Sequence, residues 1–190
     1  QVGEVKHEKG LPIYAPDREL AMLEARREEA AKAGISPQLI EDVLRRFMRE
    51  SYSNENQFGF KTLNPAINKI VIVGGYGKMG QLFARYLRAS GYPISILERD
   101  DWDVAERILT NADVVIVSVP IDHTLETIER LKSYLTENML LADLTSVKRA
   151  PLAKMLDVHK GAVVGLHPMF GPDIASMAKQ VVVRCDGRFS

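Results

Sequence analysis

Cysteine is nearly absent: Cys185 stands alone in 190 residues. That excludes a disulfide framework and fits a reducing, cytoplasmic compartment. Charge of one sign is not in excess either. Lys plus Arg total 25 and Asp plus Glu total 25. A polyanion binder carries a basic surplus, so nucleic acid is not the expected partner. No apolar run approaches the roughly 20 residues of a bilayer span, so no membrane partner is expected. One Cys and four scattered His lack metal-ligand spacing, and the Gly-x-Ser-x-Gly elbow of hydrolases is missing. No signal peptide, internal repeat or low-complexity tract is visible in these residues. An initiator Met is missing too: the chain opens Gln1-Val2-Gly3 and stops soon after Val181-Val182-Val183, as a piece of something longer would. What is present is globular, with 46% apolar and 26% charged residues.

Two textures divide the chain. Residues 1–58 are rich in Glu, Arg, Ala and Leu and read as helices. Pro16 and Asp17 open one helix, which ends at Gly34. Ser36-Pro37 is an N-cap followed by a first-turn Pro, and the next helix carries Leu39, Ile40, Val43, Leu44, Phe47 and Met48 as an apolar stripe. Two such helices do not make a stable domain alone; they need a third helix or a partner subunit. Residues 59–68, with Gly59, Asn64 and Pro65, read as a linker. Residues 69–190 alternate strands and helices: strands at 69–73, 94–97, 113–119, 139–144, 162–166 and 180–183, and helices at 78–90, 103–109, 123–134 and 151–156. That order predicts an α/β fold, a doubly wound and mostly parallel Rossmann-type sheet.

Gly75-Tyr76-Gly77-Lys78-Met79-Gly80 follows the strand Ile70-Val71-Ile72-Val73 and opens a helix. The spacing has a physical cause. Gly75 is expected to make the tight turn, Gly77 to let a pyrophosphate approach the backbone, and Gly80 to let helix and strand pack closely. The helix N-terminus offers unpaired N–H groups to phosphate. Glu98, 23 residues after Gly75, ends the next strand. A carboxylate there accepts bonds from both ribose hydroxyls and repels a 2′-phosphate, which favours NAD; the neighbouring Arg99 keeps NADP as an alternative. A glycine turn that binds no nucleotide is the bland reading.

In open α/β sheets ligands bind beyond the C-terminal ends of the strands. Three segments qualify: Ser118-Val119-Pro120, Asp143-Leu144-Thr145-Ser146-Val147-Lys148, and Gly165-Leu166-His167-Pro168-Met169-Phe170-Gly171-Pro172-Asp173. Among the histidines, His7 lies near the start, His159 reads as a solvated turn residue and His123 as an early residue of a helix. His167, at a strand tip held by Pro168, is a candidate base for a substrate hydroxyl as hydride leaves the same carbon; its alternative is a satisfied core histidine. Ser146 could orient the imidazole or the substrate. Lys148 could hold a carboxylate or be plain surface charge.

With these motifs in view, the segments from Val71 to Gly80, Val117-Ser118-Val119-Pro120, Asp143 to Lys148 and Gly165 to Pro172 resemble prephenate dehydrogenase. Val2-Gly3-Glu4-Val5-Lys6, Asp17-Arg18-Glu19 and Arg49-Glu50-Ser51 resemble the latter part of an all-helical chorismate mutase. The order of domains resembles the bifunctional family of bacterial tyrosine biosynthesis, over essentially the whole chain. The resemblance implies a partial mutase domain over residues 1–58 and an NAD-linked dehydrogenase domain over 69–190. Its substrates would be chorismate and prephenate, with tyrosine as an inhibitor and a homodimer as the assembly. His167 falls on the family's catalytic histidine and Ser146 on the serine that assists it, while Asp173 stands where relatives carry a gating Glu. Gly75, Tyr76, Gly77, Lys78, Met79, Gly80, Glu98, Ser118, Val119 and Pro120 form the implied cofactor site. Lys6 matches the lysine on the breaking ether oxygen, and Arg18 and Glu19 a substrate-facing pair. Ser51 and Glu55 share one helix face, and Glu55 must be protonated to donate to the ether oxygen. An arginine-bearing first mutase helix would precede Gln1 and a helical dimerisation domain would follow Ser190. The competing readings are another Rossmann dehydrogenase of the 3-hydroxyacid type and a non-catalytic NAD-binding module.

Overall fold

The computed structural model describes residues 16–55, 64–174, 177 and 180–189. They fall into two compact units, one of helices and one of alternating strands and helices.

The helical unit contains α1 (Pro16–Lys32) and α2 (Pro37–Glu55). The link between them is set by local chemistry. Gly34 has φ +71°, and the Ile35 and Gly34 N–H groups bond the Ala30 and Ala31 carbonyls at 2.9 and 3.2 Å. This paired C-terminal cap satisfies carbonyls that the helix leaves open. The Leu39 N–H then donates to Ser36 Oγ at 3.4 Å, which caps α2. Leu23 and Ala30 are buried, whereas Leu39, Val43 and Phe47 of the apolar stripe are exposed.

The second unit holds one six-stranded sheet in the order β2-β1-β3-β4-β5-β6. Its elements are β1 (Ile70–Val73), α3 (Lys78–Ala89), β2 (Ile94–Leu97), a 3-10 turn (Trp102–Val104), α4 (Ala105–Leu109), β3 (Val114–Val117), α5 (Ile121–Leu131), β4 (Leu140–Asp143), α6 (Arg149–Val158), β5 (Ala162–Pro168) and β6 (Val182–Arg188). β1 to β5 are parallel, and β6 is antiparallel to β5. The last strand therefore differs from expectation: it starts at 182, extends to 188 and reverses direction. Two facts explain the added length. Arg188 Nη1 donates to the His159 carbonyl at 2.6 Å, and Gly187 packs where a Cβ would meet Val163.

Right-handed crossovers dictate where the helices lie. The β1-to-β2 connection steps one way along the sheet and the later parallel connections step the other. α3 thus covers one face and α4, α5 and α6 the opposite one. The side chains follow. Ile70, Ile72, Ile116 and Val164 pack with Ala84 of α3. Val71, Val73, Val115 and Leu141 pack with Leu109, Ile128, Leu131 and Met155. Central strands buried on both faces explain the unbroken β-branched runs. The change of direction falls between β1 and β3, and a crevice opens there at the carboxyl ends of the strands.

Candidate functional site

The glycine turn sits at that crevice, and its geometry differs by one residue from the sequence reading. The residue with positive φ is Gly74, at +79°, not Gly75. A Cβ on Gly74 would lie 2.7 Å from Ser118 O, so the turn after β1 presses against the end of β3. Gly75 is needed for another reason: a Cβ there would lie 2.8 Å from the Ile96 side chain of β2. Gly80 performs its expected part, since a Cβ would come within 2.5 Å of Gly74 O and 2.7 Å of Gly75 Cα. At Gly77 no atom lies closer than 3.4 Å to the Cβ position, so that side of the turn stays open. Gly77 is also the N-cap of α3 and supplies no side-chain bond to it. The first N–H groups of the helix are thereby left for a ligand.

Glu98 directly follows β2, beside this turn. Its Oε1 accepts the Tyr76 N–H at 2.6 Å, and Gln81 Nε2 donates to Tyr76 O at 2.7 Å. The turn is thus fixed from both sides. The Glu98 N–H donates to Asp101 Oδ2 at 3.0 Å, which bends the chain after β2 and places Asp100 and Asp101 next to Glu98. Arg99 points to solvent, 3.7 Å from Asp100. These residues fit a dinucleotide: open N–H groups for pyrophosphate, a carboxylate for a ribose diol, and an acidic surround that disfavours a further phosphate. Tyr76, Lys78 and Pro120 are exposed, and Met79, Ser118 and Val119 are half-buried. Pro120 is the N-cap of α5.

A cavity of about 560 Å³ borders the turn, lined by Gly75, Tyr76, Lys78, Arg85, Arg88 and Asp173 among others. It has the size of a cofactor site, but His167 and Ser146 do not line it. Those two stand at the ends of neighbouring strands. His167 is the penultimate residue of β5, half-buried, and Ser146 lies exposed in the turn after β4. No side-chain hydrogen bond joins them among the described residues. His123 is the exposed third residue of α5.

Two polar residues depart from the sequence reading. His159 is not solvated: it is 2% exposed, and its Nε2 lies 2.8 Å from Met139 O. The bend at Gly161 tucks the imidazole under the start of β5. Lys148 is not plain surface charge: its ammonium is paired inside the unit. Its Nζ lies 2.5 Å from Asp143 Oδ2 and donates to Leu166 O at 2.8 Å.

For the helical unit, Lys6 lies outside the described residues. Arg18 and Glu19 fall in the first turns of α1, and Ser51 and Glu55 in the last turns of α2; their side chains lie outside what the structure describes. Among the described residues no group of three or more His, Cys, Asp or Glu could hold a metal ion, and no helix is long and apolar enough to cross a membrane.

Known proteins match both units. The chorismate mutase type II family matches residues 1–56, and the nucleotide-binding domain of prephenate dehydrogenase matches residues 97–186. The chain is 84% identical over 189 residues to the T-protein of Haemophilus influenzae, covering 100% of this chain and 50% of that protein. It is 57% identical over 188 residues to the T-protein of Enterobacter agglomerans, covering 99% of this chain and 50% of that one. The chain thus spans about half the length of the curated relatives it matches. An imine reductase from Streptomyces aurantiacus shares the fold, at 19% identity and a TM-score of 0.50, over 62% of this chain and 47% of that one.

Proposed function

The chain belongs with the T-proteins, and from that premise we propose that it carries the NAD-binding part of a prephenate dehydrogenase and part of a chorismate mutase, acting in tyrosine biosynthesis. The observation that carries the dehydrogenase reading is topological. Parallel strands bring the uncapped start of α3, Glu98, Ser118 and His167 to the same edge of one sheet.

When bound, NAD supplies the hydride acceptor. The residues of the chain do the rest. The turn from Gly74 to Gly80, with Tyr76, Lys78 and Met79, receives the pyrophosphate, and Glu98 receives the adenosine ribose. Ser118, Val119 and Pro120, which follow β3, would contact the cofactor there. The His167 imidazole, without a side-chain partner among the described residues, accepts the proton of the prephenate C4 hydroxyl as hydride leaves C4. The bond from the ring to its carboxylate then breaks, CO2 departs, its electron pair makes the ring aromatic, and the imidazolium returns the proton to the C4 oxygen, giving 4-hydroxyphenylpyruvate. Ser146 orients the substrate or the imidazole. Aromatisation drives the reaction, so positioning is the protein's main task.

In the mutase part, Lys6 and protonated Glu55 donate to the breaking ether oxygen of chorismate, and Arg18, Glu19 and Ser51 hold the substrate. Mutase activity then falls as pH rises, and Glu55→Gln removes that dependence. On the same reading the intact protein is a cytoplasmic homodimer restrained by tyrosine.

The test is NADH formation from prephenate by the intact protein. His167→Asn should lower kcat by about 1,000-fold, within the range of general base catalysis, with NAD affinity retained. A variant as active as the wild type rejects the role of His167.

A further inference from the structure

β5 outruns its neighbour on one side. The β4 ladder ends at the rung between Asp143 and Gly165, while β5 continues through Leu166 and His167 to Pro168, paired there only with β6. The Leu166 carbonyl, beyond the last rung on the β4 side, is taken by the Lys148 ammonium at 2.8 Å. A side chain thus extends the ladder by one bond next to His167. We propose that Lys148 is a positioning residue for His167, locked by Asp143 so that it fixes the end of β5 and aims the imidazole, and that it does not hold a substrate carboxylate. This rests on the dehydrogenase reading above.

The pairing leaves little freedom for another role. The Asp143 side chain is fully buried and that of Lys148 is 13% exposed. Asp143 Oδ2 receives the ammonium at 2.5 Å and the Thr145 N–H at 3.1 Å, with the Thr145 hydroxyl against it as well. Asp143 Oδ1 is buried with no partner. Lys148 is the one cation paired with this carboxylate among the described residues. Drawing it towards a substrate would strand a buried charge, which costs more than a substrate contact returns. Gly165 keeps the path of the lysine clear, since a Cβ there would lie 3.1 Å from Lys148 Cδ. The same bonds hold the turn that carries Ser146, because the Thr145 hydroxyl also lies 2.9 Å from Val147 O.

A mutant cycle in the intact protein tests the proposal, with NADH formation from prephenate as the readout. Lys148→Met should lower kcat by about 100-fold, the usual result of a small misplacement, with the prephenate KM within about threefold of wild type, as for an interaction that acts on the chemical step. NAD affinity should hold. In the decisive arm, Lys148→Met is added to His167→Asn. If the lysine acts through the imidazole, the pair is no slower than His167→Asn alone. Losses that multiply, or a loss carried by KM, overturn the proposal. Should Lys148→Met not fold, Asp143→Asn with Lys148→Met, free of a lone buried charge, takes its place in the cycle. A wild type that makes no NADH from prephenate rejects the underlying reading instead, so the two failures are distinguishable.

Discussion

In the α/β unit Val71, Ile72, Leu131 and Leu141 are wholly enclosed, whereas in the helical unit Phe47 is 67% exposed, Leu39 55% and Val43 41%. Both units are patterned with regular apolar periodicity, yet only one converts the pattern into a core. A sheet covered on both faces closes upon itself; two helices present a stripe that they cannot enclose between them. The polar residues divide in the same way. The α/β unit buries Asp143 and His159 with partners, while the helical unit relies on surface ion pairs such as Arg27 and Arg45 with Glu41. Equal periodicity therefore does not imply equal stability.

Core truncation should expose this difference most strongly. Leu131→Ala is expected to cost about 3 kcal/mol, as for an enclosed leucine, against less than about 0.5 kcal/mol for Phe47→Ala in the same chain. Denaturant unfolding, followed by hydrogen exchange within each unit, measures both; similar losses would abolish the distinction. Next is Gly80→Ala, which forces a methyl onto the Gly74 and Gly75 backbone. It should cost about 2 kcal/mol through overpacking and abolish NAD binding by calorimetry, with exchange in α2 unchanged. Within the helical unit, Ser36→Ala should cost about 1 kcal/mol through loss of the N-cap, seen as faster exchange at the start of α2 and nowhere in the sheet.

The smallest effect is a response to acid. The Glu41 carboxyl is held below its usual range, first by its bond to Arg45 and then by Arg27. A carboxyl lowered on folding stabilises above its unfolded pKa, and that contribution is lost as pH falls through the folded value. The helical unit should loosen slightly as pH drops below about 4.3, and Glu41→Gln should flatten that slope. The surface pair of Glu129 and Lys154 responds at both ends of the scale. Glu129 is lowered by its bond to Lys154, and Lys154 is raised by the same bond. Its stabilisation is thus lost in acid as Glu129 protonates and in strong base as Lys154 deprotonates.

Much of this organisation was legible because it depends on local rules. The strand-turn-helix around Gly75 to Gly80, Glu98 at the end of the next strand and the Ser36 cap are each set by neighbours in sequence. Misread features depend on residues far apart along the chain. Gly74, not Gly75, carries the turn because the end of β3 lies against it. His159 is buried because Met139 supplies a carbonyl 20 residues away. Lys148 is committed inward because β5 ends beyond β4. The antiparallel course of β6 follows from pairing with β5, and no local pattern encodes strand direction. A second glycine directly before Gly75-Tyr76-Gly77 was the available signal for Gly74; nothing in the sequence signalled the partners of Lys148.

The cap at Gly34 has a consequence in terms of handedness. The backbone there is in the left-handed region, and the space where a side chain would project is empty within 4 Å. What ends α1 is therefore not the small size of glycine but its lack of chirality. The two mirror forms of alanine should behave as opposites at this position. The L-form would strain the turn, while the D-form would sit in its own preferred region and restrict the unfolded chain. Placed by chemical synthesis in a peptide covering both helices, the pair would show that this stop signal is stereochemical, since two residues of identical composition would shift helix content in opposite directions.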